Sequence, residues 1–212
     1  MGNKKPWSRP QYSAYPNRPG DRRRTPLYTA LGRAVSNWEG VSAATASLFR
    51  AILEGDERSD PAERAAERFG EIWAVQERAK LIGDQCGVFF NADFGDKKGE
   101  ARSLLREIRA SMDAYRGWAE RRNDLAHGYV TKAQGPDYSK EDQPTVTTYS
   151  LCPSHARSPK WPHSEPEYNY VASEIAAFAA AFDVLDKRIE AAATRVREIK
   201  DWRVAQRRVQ VG

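Results

Sequence analysis

Arg122, Asn123 and His127 stand within six residues of one another, in the stretch Glu120 to Gly128. These three types can do chemistry together. A guanidinium keeps its charge at any physiological pH and forks onto paired oxygens, so it can hold an anion or a developing negative charge. An imidazole gives or takes a proton near neutrality. An amide can orient that ring or bind an anionic oxygen. Asn123 and His127 are four apart, so on a helix their side chains can meet.

The preceding apolar residues give the helical frame. Leu104, Leu105, Ile108, Met112, Tyr115 and Trp118 repeat at helical spacing. Turning about 100° per residue from Ile108 places Tyr115, Ala119 and Ala126 near the centre of the buried stripe, and Arg122 roughly 40° from it. Arg121 points to the opposite side, and Asp124 points away from the stripe as a solvated residue. Asn123 and His127 share one flank. A cation on an apolar stripe costs several kcal/mol unless it is paired or reaches a polar cleft. A purely structural account also exists. A histidine in the last turn complements the helix dipole, Gly128 suits the residue after a helix, and Arg122 could pair with an acid on a neighbouring helix.

Arg122-Asn123-Asp124-Leu125-Ala126-His127 resembles the Arg-x4–6-His motif of HEPN domains (higher eukaryotes and prokaryotes nucleotide-binding), including the polar residue that often follows the arginine. The resemblance extends to the order of elements, a helical bundle with the motif near the end of a late helix. It implies a metal-independent endoribonuclease, of the kind found in toxin–antitoxin, antiphage or RNA-processing systems, with Arg122 and His127 as catalytic pair and Asn123 in support. It implies RNA as substrate, a homodimer with two motif copies facing one cleft, no cofactor, and a cognate antitoxin or inhibitor protein as a further partner. Other members of the group have lost catalysis, so the alternative is a non-catalytic module that dimerises or binds a partner protein or nucleotide. Arg157 and His163 meet the same spacing, but among Pro159 and Pro162, and are set aside.

The rest of the chain narrows the options. Cys86 and Cys152 have no metal spacing, and Cys152 with His155 and His163 lacks a clear fourth ligand. There is no phosphate-cradling glycine loop and no nucleophile elbow. No apolar run approaches a membrane span, and the N-terminus shows no hydrophobic signal segment, so the expected place is the cytoplasm. The net charge of +5 permits an anionic partner without naming one. Much of the charge lies in residues 1–26, where Lys4, Lys5, Arg9, Arg18, Arg22, Arg23 and Arg24 accompany Trp7, Tyr12 and Tyr15. This segment reads as a disordered, proline-rich tail or as a basic arm that gathers phosphates and stacks bases, with Arg22, Arg23 and Arg24 as RNA contacts; it is expected to be dispensable for folding and to add to RNA affinity. Arg195 to Arg208 reads as a solvated helix face.

The elements that must position the trio follow from periodicity. The spacing predicts helices over 28–53, from the Ser59-Asp60-Pro61 cap to Phe89, from Lys97 to the motif, and from Tyr170 to beyond Ile199. Residues 129–133 and 145–151 predict a small hairpin, and four prolines over 153–166 predict a loop tucked down by Trp161. The expected fold is all-α: an up-and-down four-helix bundle in residues 27–208, with a β-hairpin and loop between the third and fourth helices.

Overall fold

The computed structural model describes residues 5–9, 20–53, 60–137, 140–154 and 166–211. Among them the chain forms a helical bundle of α1 (Arg24–Ile52), α2 (Asp60–Glu71), α3 (Val75–Phe90), α4 (Lys98–His127) and α5 (Ala172–Val211), with one antiparallel hairpin, β1 (Gly128–Pro136) and β2 (Thr145–Pro153). The hairpin lies between α4 and α5, as its alternation predicts. The helix count differs from expectation, at five instead of four. Trp161, His155, Arg157 and His163 lie outside the described residues, as do Lys4, Tyr12, Tyr15 and Arg18.

The extra helix arises because the expected second helix breaks at Ile72, Trp73 and Ala74. The apolar residues on either side, Phe69 and Ala79, are both buried, so periodicity alone runs through the gap. Arg78 makes the break tolerable. Its Nε donates to the Ile72 carbonyl at 2.6 Å and one terminal nitrogen donates to the Gly70 carbonyl at 3.2 Å. The side chain therefore satisfies carbonyls that a continuous helix would satisfy with backbone N–H groups. Its guanidinium also lies 5.4 Å from the Phe69 ring centre. Trp73, at the break, is 97% exposed.

The chain divides into two compact units. The first comprises Met1–Trp38 and Trp118–Phe182 and holds the motif. Its aromatic core holds a stacked pair, Tyr168 on Tyr170 (4.8 Å, 15°), and three edge-to-face pairs, Trp38 on Phe182 (5.1 Å, 70°), Trp118 on Phe182 (5.9 Å, 85°) and Tyr170 on Phe178 (5.1 Å, 82°). The edge-to-face geometry sets positive ring edges against negative faces. β2 is covered along both edges. It pairs with β1 on one side, while Asp21 pairs with its Tyr149 and Tyr170 with its Leu151 on the other. Such cover removes an open strand edge.

The second unit comprises Glu39–Gly117 and Asp183–Gly212. Leu48, Ile52, Ile82, Leu104, Ile108, Ile189 and Val196 fill its core, and Phe49 stacks on Phe69 at 4.4 Å. Cations of α5 tie it to α1 and α4. Lys200 donates to the Leu53 carbonyl at 2.8 Å, Arg197 to the Ser47 hydroxyl at 2.8 Å, and Arg195 pairs with Glu107. These links explain much of the charge between 195 and 208 as structural. Cys86 sits in this unit, where burial pushes its thiol up to about 12 against the pull of Arg109. Cys152 belongs to the first unit, and both cysteines are free and buried.

Candidate active site

The motif closes α4. The helix stops at His127 because the backbone turns straight into β1 beneath β2. A Cβ on Gly128 would lie 2.8 Å from the Asp124 carbonyl oxygen, 2.9 Å from the Leu151 side chain and 3.1 Å from the Cys152 carbonyl oxygen. Two of those atoms are backbone and cannot yield, so only glycine fits this position. The turn leaves His127 exposed at the helix end. No described residue hydrogen-bonds its ring. Asn123, one turn earlier, is exposed as well, and Arg122 beside it is half-buried. A terminal nitrogen of Arg122 donates to Asn123 Oδ1 at 3.2 Å. The three side chains thus present a cation, an amide and a titratable ring on the outside of one helix end.

The helical phase differs from expectation here. Arg121, not Arg122, is the buried arginine, at 3% exposure. Asp124 is buried rather than solvated, and Ala126, expected near the stripe centre, is exposed. The cause is a second packing partner. Residues 168–170, which lead into α5, lie against the face of α4 that the stripe rule leaves to solvent. Tyr168 donates its hydroxyl to the Asp124 carbonyl at 2.9 Å, and Tyr170 donates to Asp124 Oδ2 at 2.7 Å. Arg121 reaches the same carboxylate at 3.1 Å, the Tyr170 hydroxyl at 3.2 Å and Glu120 at 3.1 Å. Its Nε–H is buried with no acceptor among the described residues. Burial first raises both phenols above their ordinary range, followed by the negative charge of Asp124 for Tyr168 and by the hydrogen bond to Asp124 for Tyr170.

Arg9 completes this network from the far end of the sequence. Its guanidinium forks onto Asp124, at 2.8 Å and 3.1 Å, and reaches Glu167 at 3.2 Å. It also lies 5.3 Å from the centre of the Tyr168 ring. The hydrogen bond to Asp124 holds Arg9 more firmly protonated, against the opposing effect of its partial burial. Ser8, Arg9, Glu120, Arg121, Asn123 and Asp124 line an open cleft of about 540 Å³. Arg9, Arg121, Asp124, Tyr168 and Tyr170 were invisible to periodicity. The one sequence signal for them is the Tyr-x-Tyr pair just ahead of α5, whose hydroxyls need partners if they are buried.

Arg22, Arg23 and Arg24 are not a free basic cluster. Arg22 pairs with the buried Asp137 at 2.6 Å, and Arg24 lies 5.1 Å from the Tyr149 ring centre. Arg23 stands with Arg33 at a shallow groove between α1 and α5. The boundary drawn at residue 26 falls inside α1, which begins at Arg24. Asp21 already has three structural contacts. It exchanges two backbone bonds with Tyr149, each 2.8 Å, and its carboxylate accepts from the Ala172 N–H at 2.7 Å, capping α5. The end of the expected tail is therefore part of the folded unit.

Among the described residues, no three histidine, cysteine or acidic side chains lie close enough together to hold a metal ion. No helix among them is long and apolar enough to cross a membrane. Compared with models of protein families, with curated proteins and with solved structures, the chain finds no match.

Proposed function

We propose that this chain is an endoribonuclease of HEPN type, in which Arg122, Asn123 and His127 cleave RNA without a metal ion. One observation carries the reading. Among the described residues, structural duties at the end of α4 fall to Arg121, Asp124 and Gly128, while Asn123 and His127 are exposed and the half-buried Arg122 donates to Asn123. RNA supplies its own nucleophile, the ribose 2′-OH. Attack on the adjacent phosphate needs a base, a stabiliser for the charged phosphorane-like state, and an acid for the leaving 5′ oxygen. His127 serves as base or acid, and Arg122 forks onto the phosphate oxygens. Asn123 steers the guanidinium through its Oδ1.

Charge decides which part of the RNA goes where. The cleft beside Asn123 holds two guanidinium groups and two carboxylates, those of Glu120 and Asp124. It has no net cation to hold a phosphate, so it receives a base or ribose while the phosphate stays with Arg122. A single imidazole does not readily fill both proton roles in one step, so we place two copies of the motif across a two-fold axis in a homodimer.

The substrate tests the reading. Purified protein is incubated with single-stranded and structured RNAs in the presence of a chelator, and the products' ends are mapped. We expect cleavage that leaves a 2′,3′-cyclic phosphate and a 5′-OH, and no cutting at a 2′-deoxy position. Equal cleavage of DNA, or loss of cleavage with the chelator, rejects it.

A further inference from the structure

A second cleft, in the other unit, carries an inference of its own. It lies where α3 passes into α4 and has a volume of about 350 Å³. That is at the lower end of the roughly 300–1,000 Å³ range of small-molecule sites, room for a single nucleotide-sized group. Phe90 supplies aromatic surface and is backed by the buried Phe94, with ring centres 5.9 Å apart. Asn91 offers an amide, and Lys98 and Arg102 supply two cations.

Local electrostatics set the two cations apart from ordinary surface charge. Lys98 and Arg102 are four apart on one face of the first turns of α4, so they repel each other. They also stand at the positive end of the helix dipole, where cations are disfavoured. Neighbouring Lys97 is compensated, by Glu100 at 3.4 Å and by the Trp202 ring at 5.9 Å. Lys98 and Arg102 are exposed, and no described residue pairs with either. The one carboxylate of the lining, Asp93, accepts the Gly95 N–H at 3.0 Å and leaves the cleft with a net positive charge. The same Gly95 has φ +48°, a left-handed conformation that fixes the turn between Phe94 and the start of α4.

We propose that this cleft binds an aromatic base carrying a phosphate, with the base against Phe90 and the phosphate on Lys98 and Arg102. An aromatic floor beside cations is the general means of holding a nucleotide without reading its sequence. The ligand is either a free nucleotide or one nucleotide of a single strand. The site stands independently of His127, and binding there involves no bond making.

Titration calorimetry with the full chain tests the proposal, using adenosine monophosphate, inorganic phosphate and a short single-stranded DNA, which the proposed 2′-OH chemistry leaves uncut. Binding of the monophosphate assigns the site to free nucleotides, and binding of the strand alone assigns it to a nucleotide within a chain. In either case Lys98→Ala combined with Arg102→Ala should weaken binding at least about tenfold and reduce its salt dependence. Both residues are exposed, so the fold should stand. Phe90→Leu should weaken the nucleotide probe and leave any binding of phosphate unchanged. No binding of either nucleotide probe, binding that survives the double substitution, or phosphate binding as tightly as the monophosphate overturns the proposal. Because the probes are not cleaved, the result is independent of whether the motif is a nuclease.

Discussion

At the scale of the residue, the division of labour between Arg121 and Arg122 matters most. The sequence puts two arginines side by side, and the rule of one apolar stripe selects the wrong one for burial. That rule assumes a single packing partner, whereas this helix end has a second, the Tyr168–Tyr170 segment, bonded to Asp124. Arg122, Asn123 and His127 stand out in the sequence by type and spacing, and the structure leaves Asn123 and His127 exposed and Arg122 half-buried at the end of α4. The network behind them was not legible in the sequence, because Arg9 and Asp124 are 115 positions apart. Asp124 holds two guanidinium groups with 8% of its side chain exposed. Asp124→Asn should therefore destabilise the fold by about 3 kcal/mol, since it removes the buried counter-charge of Arg121, whose other carboxylate partner, Glu120, is exposed; the part-exposed Arg9 adds less. Urea unfolding checks this, and a loss below about 1 kcal/mol would contradict the network. A pH dependence follows from the same group. Tyr168 and Tyr170 are raised above the ordinary phenol value near 10, so the folded state holds those protons more tightly. The stability this gives is complete below about pH 10 and is lost as pH climbs through the higher folded values. Tyr170→Phe should be less stable at neutral pH and show a shallower alkaline decline; parallel pH curves for the two proteins would argue against it.

At the scale of the element, periodicity located the hairpin and the long helices but missed the break between α2 and α3. A side chain, Arg78, performs the capping there, and nothing in the apolar spacing records it. The beginning of the fold was likewise set too late. Residues 1–26 look like a tail because they lack an apolar period, yet Asp21 works through its backbone and one carboxylate, which no period reveals. Asp21→Ala should cost about 1 kcal/mol, as loss of a helix cap does, and deletion of residues 1–26 should cost more. Thermal unfolding of the two variants provides the check. A deletion as stable as the full chain would return the segment to the status of a tail.

At the scale of the whole molecule, the proposed chemistry requires a second copy, because each chain offers one exposed His127 at the end of α4. Light scattering at micromolar concentration with RNA present should report a dimer, and a monomer under those conditions would count against a shared site. Ribonuclease chemistry at the end of α4 is tested by the RNA cleavage rate of His127→Ala, measured beside the parent protein, with circular dichroism used to confirm that the variant folds. The ring is exposed and no described residue hydrogen-bonds it, so the variant should retain the parental spectrum. Its cleavage should fall on the order of 10²- to 10⁴-fold, the range expected when a general acid or base is removed. A folded His127→Ala protein that cuts RNA at the parental rate would contradict the account.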